Sequence, residues 1–374
     1  MAPSTRTGGS HAPAAGQALT MIIRPPGFNG PGSGPRAGAP LVPGNEPRDR
    51  GDPARDQVPS PVTLSAFLEH WLADIVRLSV RPKTFVSYRS VVRLHLAPAL
   101  GDIPLTELRP GDVQAYLNRK AATRLAPRTV AYHRNILRQA LGHAERTELV
   151  GRNVAKLALP PRIPRREVRP LTPEQARTFL AAIAGERLRA LYVVALGVGL
   201  RQGEILGLRW SDVDLLAGTI RVREALQRVE GVFTFVEPKS VTSRRLLPLP
   251  AIVREALLAH RERRSAEGAA RAGISAEFAD LVFTTTVGTP IDGISVTRRF
   301  QRILRAAGLP HQRFHDLRHA CASLLLAQGV PARVVMETLG HSQISLTLNT
   351  YCHVIPALGR EAAERMDEVL TRGS

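Results

Sequence analysis

Four short segments in the C-terminal half of the chain carry side chains that could work together on a phosphate. The first, Gly199-Leu-Arg-Gln-Gly-Glu204, sets Arg201 between an apolar helical run and the entry to the next helix. A guanidinium there can aim two N–H groups at a phosphate, and nearby helix N-terminal amides add to the site. An Arg201–Glu204 ion pair would explain the same residues equally well. The second segment, Glu237-Pro-Lys-Ser-Val-Thr-Ser-Arg-Arg245, reads as a polar turn between two strands with Lys239 at its tip. A lysine beside phosphate can donate a proton, which arginine, with a pKa above about 12, cannot readily do. An ordinary exposed turn lysine is the plainer account.

The third segment is Arg313-Phe-His-Asp-Leu-Arg-His319, where His315 shares a helix face with Arg318 three residues on and with His319 four residues on. The fourth runs Leu339-Gly-His-Ser-Gln-Ile-Ser-Leu-Thr-Leu-Asn-Thr-Tyr351. Gly340 ends a helix, His341 opens the next segment, and Tyr351 offers a phenol nucleophile ten residues further on. Zinc is a rival reading, since His315-x-x-x-His319 has helical ligand spacing and His341 and His353 could complete a set. Against it, Asp316 replaces the glutamate of the metalloprotease pattern, and Arg318 would place a positive charge on the ligand face. No metal and no cofactor are expected, and His319 reads as a packed or capping residue.

The whole chain bears on these segments through its charge. Its 374 residues include 51 Lys plus Arg against 32 Asp plus Glu, a formal charge of +19. A bias of that size implies a polyanionic partner, nucleic acid first, with a ribosome-associated or anionic-membrane-binding protein as the alternative. Only Lys83, Lys120, Lys156 and Lys239 are lysines, so arginine carries the bias. Cys321 and Cys352 are too few for a disulfide framework, which suggests a reducing cytosol. The longest apolar stretch, Ala190 to Leu200, falls far short of the roughly 20 residues that span a bilayer. A cytoplasmic protein with no membrane partner is expected; composition alone does not separate DNA from RNA as its partner, and association with the nucleoid would follow if that partner is DNA.

Composition also divides the chain. Residues 1–60 hold 11 prolines and 10 glycines with almost no apolar periodicity, and read as a disordered tail. From Thr63, Leu64, Phe67, Leu68, Trp71, Leu72 and Ile75 recur at helical spacing. Further helices are expected over 83–94, 110–120 and 127–148, with Pro98 and Gly101 breaking the chain. These make a helical domain over 61–157, whose exposed Arg81, Lys83, Arg89, Arg128 and Arg134 could track phosphates. Arg244, near the Lys239 turn, joins that set of candidate DNA contacts. A Pro-rich basic stretch over 158–170 reads as a linker. The last unit, 171–374, opens with Thr172, Pro173 and Gln175 as a capping box. It then alternates helices with β-rich stretches at Thr219–Glu224, Val232–Glu237 and Arg244–Leu249, giving a mainly α fold with a small antiparallel sheet.

Taken in order, Arg201, Lys239, His315-x-x-Arg318, His341 and Tyr351 resemble the active-site set of the tyrosine recombinases, the phage integrase and Xer-like family. The resemblance covers 61–374 and implies a two-domain DNA clamp, in which a helical core-binding domain joins an α+β catalytic domain with a C-terminal helix. It implies that Tyr351 attacks a scissile phosphate to form a 3′-phosphotyrosyl bond, without metal or ATP. Arg201, Arg318 and His341 would stabilise the transition state, Lys239 would protonate the leaving oxygen, His315 would assist proton transfer and Glu204 would orient Arg201. The partners implied are double-stranded DNA at specific sites, a homo-tetramer on paired sites, and a directionality or host DNA-bending factor. Integration or excision of a mobile element is the expected role. Residues 1–60 do not look like the arm-binding domain of many phage integrases, and Asn153-Val154 stands where the family often has Asn-Pro. Two rivals remain: a type IB topoisomerase-like strand transferase, and a DNA-binding regulator that has lost catalysis.

Overall fold

The apolar run behind Thr63 folds as its spacing requires. In the computed structural model, which describes residues 61–164, 169–237, 244–267, 275–340, 363–364 and 366–371, Thr63 Oγ1 accepts from the Ala66 amide at 3.3 Å. That cap opens α1 (Leu64–His70), which runs through a π-helical segment at Trp71–Val76 into α2 (Arg77–Ser79). The tail expected over 1–60 lies outside the described residues, as do Lys239, His341 and Tyr351.

Pro98 does not break the chain where the sequence suggested. Helix α3 (Pro82–Val91) widens into π geometry at Val92–Leu96 and continues as α4 (Ala97–Leu100). The Ala97 amide reaches back five residues to the Val92 carbonyl, which opens the turn just where an α-helix would drive the Pro98 ring into a preceding carbonyl. Helices α5 (Pro110–Ala121) and α6 (Pro127–Arg146) each begin on a proline, whose missing N–H costs nothing at that position. Leu68, Trp71, Leu96, Tyr116, Ile136, Leu137 and neighbours from this stretch bury together as one hydrophobic core extending to Ala158.

A second core starts at Leu171 and gathers residues as far as Ala320. Thr172 and Gln175 form the expected capping box of α7 (Pro173–Ala182), with Gln175 N to Thr172 Oγ1 at 3.2 Å and Thr172 N to Gln175 Oε1 at 3.1 Å. Helix α8 (Arg189–Gly197) is buried from Ala190 to Leu196, and α9 (Gln202–Leu206) follows after a sharp turn. α10 (Ala251–Ala266), α11 (Gly293–Ala306), α12 (Asp316–Ala327) and α13 (Ala332–Leu339) complete the labelled elements. The described residues fall within one compact unit.

The strands form two sheets rather than one. β1 (Val213–Asp214), β2 (Thr219–Val222) and β5 (Arg245–Pro248) pair antiparallel in the order β1-β2-β5, with Ile220 opposite Leu247 and Val222 opposite Arg245. Between β2 and β5 the chain makes a separate hairpin, β3 (Ala225–Val229) with β4 (Val232–Val236). Its two-residue turn, Glu230-Gly231, has φ of 49° and 89°, the left-handed pair that matches strand twist. Gly231 was recognisable as a turn, but the strand preceding it was not. Among the described residues no helix is long and apolar enough to cross a membrane.

Candidate active site

Helix α13 ends on Gly340, at φ 64° and ψ 48°, and the last carbonyls of a helix lack intrahelical partners. Three arginines from three different elements answer them. Arg245, at the start of β5, donates from Nε to Thr338 O at 2.8 Å. Arg318, on α12, donates from Nη2 to Leu339 O. Arg201, preceding α9, donates from Nη2 to Gly340 O at 2.9 Å. Cations are favoured at a helix C-terminus, where the carbonyl dipoles point outward.

The chain geometry around Gly199 makes this convergence possible. Gly199 adopts φ +70°, and a Cβ there would lie 2.6 Å from Leu339 Cδ2. Without a side chain at that point, the α8–α9 turn presses against the end of α13, and the Gly199 carbonyl accepts from Arg318 Nη1 at 2.7 Å. Arg318 therefore spans both backbone segments and is only 2% exposed. The guanidinium thus lies just beneath the surface. Arg201 differs, with its side chain 39% exposed.

One carboxylate serves this group of cations. Glu204, whose side chain is 4% exposed, receives Arg201 Nη1 at 2.7 Å and the Arg201 amide at 2.9 Å. It also receives Arg245 Nη2 at 3.0 Å. Burial alone would raise the Glu204 carboxyl, but the charge and hydrogen bond of Arg245, with the Arg201 amide and charge, hold it below the usual range. The expected Arg201–Glu204 ion pair is present, two guanidiniums share the one anion, and the Arg201 side chain keeps an exposed part beyond it.

His315 sits at the N-cap of α12, its ring 5.0 Å from that of His319 at 90°. Protein packed beneath the ring removes water, and His319 and Arg318 stand close, so the imidazole is pushed down to about 4. One side of the residue remains open to solvent, which moderates the effect without reversing it. A neutral ring at pH 7 can accept a proton. The start of α12 is pinned by Asp316, which takes the Arg313 amide at 2.8 Å and Arg313 Nη2 at 2.7 Å.

Arg245 was missed as a candidate, although the sequence held a signal for it. Strand alternation puts Arg245 on the face of Leu247, which is 4% exposed, and Arg244 with Leu246, which is 59% exposed. An arginine on the inward face of a strand needs buried partners.

The proposed DNA contacts fall into varied settings. Arg81 donates to Glu237 O at 2.9 Å, Arg89 pairs with Glu230, and Arg244 pairs with Glu237 at 2.7 Å. Lys83 lines a cavity of about 450 Å³ together with Gln202, Arg228 and Asp292. Arg128 is exposed at the start of α6. Arg134 instead holds Ala158 O at 2.6 Å and Lys156 O at 3.1 Å, tying down the chain after α6.

The architecture is that of the tyrosine recombinase integrases. The Tn1549 transposon integrase, solved in complex with a circular intermediate DNA, superposes with a TM-score of 0.71 at 23% identity, over 82% of this chain and 99% of that one. The lambda integrase, solved as a tetramer bound to a Holliday junction, gives a TM-score of 0.58 at 20% identity over 80% of this chain and 84% of that one. The tyrosine recombinase XerC-like protein of Caldanaerobacter subterraneus subsp. tengcongensis is 30% identical over 326 residues, 82% of this chain and 83% of its own length. The phage integrase family model matches residues 169–357, and the phage integrase N-terminal SAM-like domain matches residues 63–121. The chain belongs to the phage integrase family and is a tyrosine-type site-specific recombinase. These matches do not favour the topoisomerase-like or regulator readings.

Proposed function

We propose that Tyr351 is the nucleophile of a DNA strand exchange centred on the end of α13. Its Oη forms a bond to the scissile phosphorus as the bond to the 5′-oxygen breaks. Lys239 gives that oxygen a proton, and His315 takes up the proton of the phenol. The 3′-phosphotyrosyl product keeps the energy of the phosphodiester, so a 5′-hydroxyl can reverse the step and rejoin the strands. Arg201 bonds the non-bridging oxygens, Arg318 adds its charge from below, and His341, next in the chain after Gly340, completes the set. Glu204 holds Arg201 in place.

The observation carrying this reading is that Arg201 and Arg318, 117 positions apart by their numbering, bond the consecutive carbonyls Gly340 and Leu339. The residue that follows, His341, is the next member of the set. On this reading 61–157 is a core-binding domain, 158–170 a linker and 171–374 the catalytic domain. Together they close on double-stranded DNA through Arg81, Lys83, Arg89, Arg128 and Arg244. Four copies would act on paired sites, aided by accessory DNA-bending or directionality factors, in association with the nucleoid. The described residues 366–371 are helical and expose Met366, Val369 and Leu370, a face suited to docking on a neighbouring copy.

The direct test is Tyr351→Phe. It should bind DNA like the parent chain and form no adduct that survives denaturing electrophoresis; an adduct that persists refutes the assignment. Sedimentation of the protein on synapsed sites should give a tetramer, and monomers alone would count against the assembly.

A further inference from the structure

Arg245 belongs to none of the chemical roles assigned above, yet it is closely engaged at the site. Its side chain is 7% exposed. It reaches both oxygens of Glu204, from Nη2 at 3.0 Å and from Nη1 at 3.4 Å, and the Thr338 carbonyl from Nε at 2.8 Å. A Cβ on Gly340 would come within 3.0 Å of Arg245 Nη1, so the guanidinium is seated against the glycine that ends α13. Its own backbone opens β5, opposite Val222.

We infer that Arg245 is a positioning residue for strand cleavage, fixing the Glu204–Arg201 pair and the end of α13 in one geometry. The inference rests on the reading that Arg201 contacts the scissile phosphate. The guanidinium spreads its donors over three nitrogens in a fixed plane, which lets it hold both Glu204 oxygens and the Thr338 carbonyl from one seat; a lysine gathers its three N–H groups on one atom and cannot reproduce that spread. Misplacing a reacting group by about 1 Å can slow a reaction on the order of 100-fold. Arg245 itself need never touch DNA.

The test uses the full chain and a duplex carrying the sequence recovered covalently attached to Tyr351 in cells. Arg245→Lys should lower the cleavage rate at saturating DNA by about 10- to 100-fold with DNA affinity unchanged. Glu204→Gln, which removes the anion and spares the arginine, should give the same pattern. In a double-mutant cycle, Arg245→Lys and Arg201→Lys should be strongly non-additive, while Arg245→Lys and the remote Arg93→Gln should be additive. Should Arg245→Lys fail to fold, the Glu204→Gln and Arg201→Lys cycle reads the same coupling. Unchanged cleavage by a folded Arg245→Lys or by Glu204→Gln, or additivity with Arg201→Lys, overturns the inference. If the parent chain forms no Tyr351-dependent adduct, it is the reading of the active site that has failed instead.

Discussion

The two hydrophobic cores use charge in opposite ways. Among the described residues, the polar side chains buried in the N-terminal helical core are His133 and Asn153, whereas the second core and its margins bury Glu204, Asp316, Arg264 and Arg318. In the helical region, Arg134 apart, the arginines work outside: Arg93 grips Glu69 with two hydrogen bonds at 2.9 and 2.8 Å, both partners well exposed. In the other region arginines turn inward and bond backbone carbonyls. Water competes for an exposed pair, so such a pair fixes little. A buried guanidinium cannot be released without stranding its acceptors, so it fixes the segments it joins. The same residue type therefore lies mostly on an exposed surface in one half and in a buried frame in the other.

The sharpest way to break this contrast is Arg318→Lys. Losing one of the two carbonyl contacts should loosen the Gly199–Leu339 junction and cut cleavage on the order of 100- to 1,000-fold, while a filter-binding assay still detects DNA binding. A variant cleaving at parental rate would mean that the buried arginine is dispensable to the frame.

Acid should expose the opposite character of the helical core. His133 is 1% exposed, accepts or donates at Nδ1 to the Tyr116 hydroxyl at 2.8 Å, and stacks on His95. Burial first, then the charges of His95 and Lys120, push it down to about 4 from an ordinary 6.5. The unfolded chain binds the proton more readily, so stability is full above pH 6.5 and is lost as the pH falls towards 4, by at most about 3 kcal/mol. Each core has one tryptophan, Trp71 in the first and Trp210 against the second. Urea titrations followed by Trp71 fluorescence in a Trp210→Phe background should therefore show the loss, and His133→Phe should flatten it. A pH-independent midpoint between 6.5 and 4.5 would show the histidine to be irrelevant.

Gly199→Ala should act mainly on the second core, through a positive φ and a Cβ that meets Leu339. A loss of about 2 kcal/mol is expected. Gly218→Ala, also at positive φ but with open space around it, should cost less. Equal losses would mean that the close approach to α13 does not matter. At the bottom of the scale, Arg93→Gln should leave the thermal midpoint unchanged, and a clear drop would show that the exposed pair is more than a surface feature.

Much of this organisation could be read in the residues themselves. The capping box at Thr172, the helix faces and the order of the arginines, histidines and tyrosine follow from local chemistry and spacing. What could not be read depends on partners distant in the chain. Pro98 looked like a break because a π-helical turn leaves no signature in composition. The β3–β4 hairpin hid because Ala225–Val229 follows β2 with only two residues between them, so one long strand and two short ones look alike. Alternation sets Arg245 and Arg244 on opposite faces of β5, but the partners that give Arg245 its role, Glu204 and Thr338, come from elements distant in the chain. The convergence at Gly340 required three separate elements to be placed in space.

Among the described residues, the side chains that bond the last carbonyls of α13 are arginines, held by one buried carboxylate. Guanidinium stays protonated at any pH the fold would survive. The charge that these arginines contribute is therefore constant across the accessible range. Any inflection in a cleavage rate profile must then arise outside them, in the histidines, in the groups proposed to move protons or in the acid-sensitive helical core, and single variants sort these sources.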